Sequence, residues 1–76
     1  MDRTVYLKKC QKLSVLKEER HTKKGVPIEE QICVNGFMYY PEAYRMSFDN
    51  EGEPVHTAIL HSVDADVIIG VPLDKI

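Results

Sequence analysis

The sequence predicts a small all-β domain, a meander of about five strands that closes into an SH3-like or similar barrel. The 76 residues are 43% hydrophobic and 29% charged, which is the balance of a single globular domain. Short segments rich in β-branched and aromatic residues recur along the chain, separated by Gly, Pro, Asn and Asp. Short strands joined by tight turns are typical of small barrels and sandwiches. We therefore treat residues 1–76 as one domain.

The first 20 residues fit two different elements. Leu7 to His21 contains no Gly or Pro and is rich in residues that favour a helix. A helix would align one stripe of side chains, Tyr6, Cys10, Leu13 and Lys17. A strand would place on one side Val5, Leu7, Leu13 and Val15. The β-favouring start Thr4–Leu7 leads us to favour the strand, with an α+β fold carrying an N-terminal helix as the alternative. Residues 21–27 are expected to form an exposed loop.

The clearest local signal is the pair Asn35-Gly36, which lies between two apolar segments. Both residues tolerate a positive φ, so the pair predicts a type I′ turn between two strands. The register then places Val34 opposite Phe37, with further pairs Ile32–Tyr39 and Cys33–Met38. Both faces of this hairpin are apolar, which predicts that it is covered on both sides or offers an apolar patch to a partner.

The remaining strands follow from alternation and turn residues. Pro41 is expected to end the second strand because it lacks the N–H of a ladder residue. Tyr44 to Asp49 alternates apolar and polar residues, and residues 49–53 form a polar turn with Gly52. Residues 55–63 and 67–71 give two more strands around the connection at 64–66, and Pro72 to Ile76 is expected to end in a short helical turn.

The net charge of −2 conceals an uneven distribution. Residues 1–24 carry eight basic and three acidic residues, whereas residues 25–76 carry two basic and nine acidic ones. Such asymmetry is one sign of a nucleic-acid-binding arm, although the acidic pI of the chain argues against it. This alternative function would use Lys8, Lys9, Lys12, Lys17, Arg20, Lys23 and Lys24.

The histidines and cysteines give weak signals for chemistry. His56 and His61 are five residues apart, so a regular strand sends them to opposite faces. His61 lies near Asp64 and Asp66, which makes a small-ligand or metal-binding barrel a third hypothesis, although we expect surface and turn roles for these residues. Cys10 and Cys33 form no metal or redox motif, and we interpret them as reduced thiols.

No sequence motif points to catalysis. The chain contains no phosphate-binding or dinucleotide-binding glycine pattern and no nucleophile elbow, and a domain of this size leaves little room for a catalytic cleft. We therefore expect a non-enzymatic protein without a cofactor or a metal. No apolar run approaches the roughly 20 residues of a membrane span, and no secretory signal is visible. The expected location is the cytoplasm.

The best functional signal is an aromatic cluster, because four of the six aromatic residues fall between positions 37 and 44. Tyrosine has a rigid apolar body and a polar tip, which suits a protein interface. We predict a small binding or regulatory module that acts through protein–protein contacts, including self-association into a homo-oligomer. The predicted partner-binding residues are Phe37, Tyr39, Tyr40, Tyr44 and Arg45.

Overall fold

The protein is a small β-rich fold with one N-terminal helix. The computed structural model describes residues 1–20 and 30–76, with helix side chains described as far as Leu13. The elements are α1 (Arg3–Arg20), β1 (Ile32–Val34), β2 (Phe37–Phe48), β3 (Pro54–Ser62) and β4 (Ile68–Pro72), followed by a 3-10 turn at Leu73–Lys75. The strands pair antiparallel with their chain neighbours in the order β1-β2-β3-β4. The sheet is therefore a curled meander.

The prediction of five strands that close a barrel was wrong. The described residues form four strands, and β1 and β4 lie at the two ends of the strand order without pairing to each other. The number differs because β2 continues through Pro41, where the sequence suggested two separate strands. The predicted loop at 21–27 lies outside the described residues.

The preferred strand over the first 20 residues was also wrong, and the alternative with an N-terminal helix describes the fold correctly. Tyr6, Cys10 and Leu13 lie on one stripe of α1, with Tyr6 and Leu13 buried and Cys10 half-buried. Only a helical period brings these three side chains together. The local β preference of Thr4–Leu7 is overridden by a long segment of helix-forming residues and by burial of this stripe.

Pro41 does not end a strand because β2 forms a bulge beside it. The β2–β3 register shifts between Pro41 and Ala43, so that Glu42 is the extra residue. Proline is accepted in sheets at bulges and where a neighbouring strand is missing. Here β1 pairs with β2 only from Phe37 to Tyr39, so the pairing between the two strands does not extend to the proline.

The Asn35-Gly36 hairpin is confirmed in both turn and register. Asn35 has φ 51° and Gly36 has φ 84°, the left-handed pair that a type I′ turn requires. The paired residues are Ile32–Tyr39, Cys33–Met38 and Val34–Phe37. A two-residue turn fixes which residues face each other, so this register follows from the local sequence alone.

The two later turns and the final helical turn are confirmed as well. In the β2–β3 turn, the Asp49 carboxylate Oδ1 accepts hydrogen bonds from the backbone N–H groups of Glu51 and Glu53, each at 2.9 Å. Gly52 has φ 80° in this turn. The β3–β4 turn at residues 63–67 is held partly by Ser62 Oγ, which accepts from the amides of Asp64 and Ala65.

The core lies between α1 and one face of the sheet. Its buried centre consists of Tyr6, Ile32, Ala58, Leu60 and Leu73. Strand alternation places Ile32, Ala58 and Leu60 on the face that α1 covers, together with Val34, Tyr39, Tyr44, Ile69 and Val71. Leu73 closes one end of this layer from the 3-10 turn, and the Met1 ammonium group donates to the Leu73 carbonyl at 2.5 Å.

A hydroxyl group ties the helix to the bulge. Tyr6 is fully buried, and its hydroxyl lies 2.6 Å from the Ala43 carbonyl oxygen and 3.1 Å from the Ile59 carbonyl oxygen. Ala43 and Ile59 are register partners directly after the bulge, where the ladder is disturbed. Burial is the largest influence on the Tyr6 hydroxyl and raises its pKa far above the usual value, so the group remains a donor.

Candidate interaction surface

The five predicted partner-binding residues do not form one continuous surface. Phe37, Tyr39 and Tyr44 are on the face that carries α1, whereas Tyr40 and Arg45 are on the opposite face. Phe37 and Arg45 are exposed, Tyr39 and Tyr44 are half-buried, and Tyr40 is buried. The structure therefore divides the predicted aromatic cluster between two faces, because side chains on a strand alternate and the bulge shifts the alternation once.

Two of the tyrosines pair with the two described histidines. Tyr40 stacks on its register partner His61, with ring centroids 5.0 Å apart, and Tyr44 stacks on His56 at 5.9 Å. The Tyr44 hydroxyl is also hydrogen-bonded to His56 Nδ1. Aromatic pairs across neighbouring strands stabilise a sheet. These tyrosines therefore contribute to the fold whatever else they bind.

The most exposed apolar side chains of β2 lie at its two ends. Phe37 is 68% exposed at the β1–β2 turn, while Phe48 and Met46 are 65% and 49% exposed at the other end. Met46, Phe48 and Pro54 share the α1 face with the core, but they lie beyond the buried cluster. With the acidic turn residues Asp49, Glu51 and Glu53, they form what we call the hairpin tip.

An open cleft adjoins the hairpin tip. Its volume is about 480 Å³, and its walls come from three parts of the chain. Met1 and Arg3 contribute from the start of α1, Pro54 and His56 from β3, and Leu73 from the 3-10 turn. The lining is mainly apolar, which is the character of sites that accept an apolar side chain.

Sequence reasoning missed the hairpin tip as a surface. The alternation of Tyr44, Met46 and Phe48 was visible and predicted a half-buried strand. It did not show that the helix-covered core stops near Tyr44, which leaves Met46 and Phe48 exposed. That boundary depends on where α1 crosses the sheet, which local periodicity does not encode.

The predicted nucleic-acid residues are only partly described. Lys8 is exposed on α1, whereas Lys9 and Lys12 form ion pairs with the buried Glu30 at 3.5 Å and 2.9 Å. The hydrogen bond from Lys12, followed by the charge of Lys9, lowers the pKa of Glu30 although burial opposes the shift. Lys23 and Lys24 lie outside the described residues, as do the side chains of Lys17 and Arg20. Nucleic-acid binding stays a prediction.

The hypothetical metal site gains no support from the geometry of its members. His61 Nδ1 lies 2.7 Å from the Ser62 carbonyl oxygen, and its Nε2 lies 3.3 Å from Asp66 Oδ1. Nδ1 thus faces an oxygen atom at the end of β3, and Nε2 faces one in the β3–β4 turn. Among residues 1–20 and 30–76, no three His, Cys, Asp or Glu side chains are grouped so that they could hold a metal ion. Cys10 and Cys33 are not joined in a disulfide.

Comparison with known proteins identifies no relative of this chain. No protein-family model matches the chain, and neither curated proteins nor solved structures give a significant match. In the part of the chain that is described, no helix has the length and apolar character to cross a membrane. Function must therefore be argued from the residues themselves.

Proposed function

We propose that this chain is a non-enzymatic protein-binding module and that its hairpin tip is the contact surface. The observation that carries the proposal is the exposure of Met46 and Phe48 next to an apolar cleft. Because they lie on one face of β2 beside Pro54 and His56, a partner could cover them together. We also propose a reducing, cytoplasmic environment, since Cys10 and Cys33 are not joined in a disulfide.

Burial of apolar area at the hairpin tip would supply the binding energy. Complete burial of a Phe or Met side chain contributes about 1.5–3 kcal/mol, and interfaces concentrate their binding energy in a few such anchors. Single exposed apolar residues are ordinary, whereas exposed apolar residues that join into one patch mark interaction surfaces, and the cleft would extend the patch of Met46 and Phe48. Tyr44 and His56 support this surface from the core side through their stacking and hydrogen bond.

The test compares two exposed phenylalanines on the same strand. The tagged chain is used to isolate associated proteins from an extract of its source cells, beside Phe48→Ala and Phe37→Ala variants. Both residues are similarly exposed, so neither substitution should disturb the fold. We expect Phe48→Ala to reduce the amount of any specifically bound protein about tenfold or more, and Phe37→Ala to leave it unchanged.

The opposite result would assign the interface elsewhere. If Phe37→Ala abolishes binding and Phe48→Ala does not, the surface predicted around Phe37 is correct and the hairpin tip is not. If the wild-type chain retains no protein and is also monomeric at all concentrations, the proposed binding function is wrong.

A further inference from the structure

We infer that the partner of the hairpin tip is a second copy of this chain, bound through the exposed flank of its α1. This flank consists of Arg3, Leu7, Lys8 and Gln11. The inference rests on the proposed function, because it names the partner for the same surface. It predicts a dimer in which the α1 flank of each copy lies against the hairpin tip of the other.

The α1 flank has one apolar residue, and basic and polar residues surround it. Leu7 is 41% exposed, and Arg3, Lys8 and Gln11 around it are exposed as well. Arg3, Leu7 and Gln11 follow each other at intervals of four residues, so they lie in a row on the helix surface. The row is displaced from the stripe of Tyr6, Cys10 and Leu13 that faces the sheet. It is therefore available for a contact outside its own chain.

The two surfaces are complementary in charge as well as in apolar content. From Met46 to Pro54 the chain carries three carboxylates and no basic residue, and from Arg3 to Gln11 it carries cations and no acidic residue. Asp2 precedes the flank, and its carboxylate Oδ1 accepts a hydrogen bond from the Thr4 backbone N–H at 2.8 Å. Opposite charges around an apolar centre favour the correct pairing and disfavour the pairing of like surfaces.

The position of the cleft explains how both contacts could form together. Arg3 lies in one wall of the cleft and Pro54 in another, so the α1 flank and the hairpin tip border the same opening. A two-fold axis that passes through the cleft would bring each flank onto the opposite tip. A two-fold contact of this kind is self-complementary and closed. Asp74 and Lys75 also line the cleft, and their charges offset each other there.

A dimer interface would cover a sizeable share of the surface of this small chain. A stable interface buries about 800 Å² per partner, which is roughly 15% of the 5339 Å² accessible surface. The contacts lie at the surface, where salt screens charges over about 8–10 Å. We therefore expect association to weaken as ionic strength rises, while the apolar part of the contact remains.

The experiment is sedimentation equilibrium with two charge-reversed variants. The tip variant carries Glu51→Lys and Glu53→Lys, and the flank variant carries Arg3→Glu and Lys8→Glu. Each variant alone brings like charges together in both contacts of its dimer, so its dissociation constant should rise at least about tenfold. Asp64→Lys, which reverses an exposed carboxylate in the β3–β4 turn, is the control and should dimerise like the wild type.

Mixing the two variants gives the decisive result. In the mixed pair, the reversed tip meets the reversed flank and the unchanged tip meets the unchanged flank. We expect a one-to-one heterodimer of wild-type strength from two weakly associating chains. Circular dichroism of each variant verifies that the fold is retained before mixing.

Two results would overturn the inference. One is a monomeric wild-type chain between about 1 μM and 1 mM, the range of weak dimers. The other is a wild-type dimer that neither variant weakens, or whose weakened variants do not pair with each other. A monomeric chain that still binds another protein through Phe48 would refute the second-copy inference and leave the proposed binding function intact.

Discussion

Tyr6 joins the helix, the bulge and β3. Its hydroxyl contacts the carbonyl oxygens of Ala43 and Ile59. The bulge disturbs the ladder at this point, and a side-chain donor can satisfy backbone carbonyl groups there. The side chain therefore combines the apolar contact of the ring with satisfaction of the bulge backbone.

Tyr6→Phe is expected to lower the free energy of unfolding by about 1–3 kcal/mol. The ring remains, so the loss measures the hydrogen bonds to Ala43 and Ile59. Urea denaturation followed by circular dichroism gives the value. Tyr39→Phe, which removes the hydroxyl of a half-buried tyrosine in β2, is the control and should change stability much less. Equal losses in the free energy of unfolding would show that the Tyr6 hydroxyl contributes no more to stability than the Tyr39 hydroxyl.

Glu30 gives a prediction about pH. Its carboxylate is buried and held by Lys12 and Lys9, which lower its pKa in the folded state. A carboxyl group whose pKa is lowered in the folded state stabilises the protein at pH values above its unfolded-state pKa of about 4.3. This stabilisation is lost as the pH falls through the folded-state pKa. Glu30→Gln should therefore lower the free energy of unfolding by about 1–3 kcal/mol at pH 7.

The destabilisation caused by Glu30→Gln should become smaller as the pH falls. As the pH falls below the unfolded-state pKa of about 4.3 and through the lower folded-state pKa, the wild-type carboxyl group becomes neutral, and the difference between Glu30→Gln and wild type should shrink. Asp64→Asn, at an exposed carboxylate, is the control and should have little effect at either pH. A difference for Glu30→Gln that stays constant from pH 7 to pH 3 would exclude an ionic role.

At the scale of elements, the sequence predicted the turns better than the strands between them. Asn35-Gly36 determines its own register because the turn geometry allows only one pairing. The prediction that Pro41 ends a strand was wrong because a strand can contain proline at a bulge and beyond the pairing with β1. The first element was ambiguous because its apolar residues fit both periods, and burial of Tyr6 and Leu13 in the folded chain selects the helix.

The candidate site was harder to predict for a related reason. Aromatic composition identified Phe37 to Tyr44 as unusual, but exposure depends on which face of the sheet each residue occupies. Tyr40 became a buried partner of His61, whereas Phe48 remained exposed at the far end of β2. A surface is a property of the assembled elements, so the aromatic composition drew attention to β2 but could not show which of its residues are exposed.

The turn glycine gives a prediction for an element. Gly36 has φ 84°, and a Cβ atom there would meet no atom within 4 Å. Gly36→Ala should therefore cost about 1–2 kcal/mol through backbone strain alone. Gly70→Ala in β4 is the control, since its Cβ would lie at ordinary distances of 3.4 Å and 3.7 Å from Thr57 and Ile59. Urea denaturation should show a loss for Gly36→Ala and near-neutral behaviour for Gly70→Ala.

At the scale of the whole molecule, a chain of this length has a limited margin of stability. About 4–11 kcal/mol is typical for 76 residues, and one helix over one face of a sheet gives a thin core. A second copy that covers Met46, Phe48 and Leu7 would add to this margin by mass action, because it binds the folded chain and not the unfolded one. Self-association would then appear in thermal unfolding as well as in sedimentation.

We therefore expect the melting temperature to rise with chain concentration, by about 3–5 °C for each tenfold increase above the dissociation constant. Phe48→Ala should flatten this dependence, because it weakens the dimer without touching the buried core. Phe37→Ala, at the other end of β2, should retain the wild-type slope. Repeated scans of one sample establish that unfolding is reversible, which the interpretation requires. A wild-type melting temperature that does not change with concentration would mean that the folded chain gains nothing from a second copy.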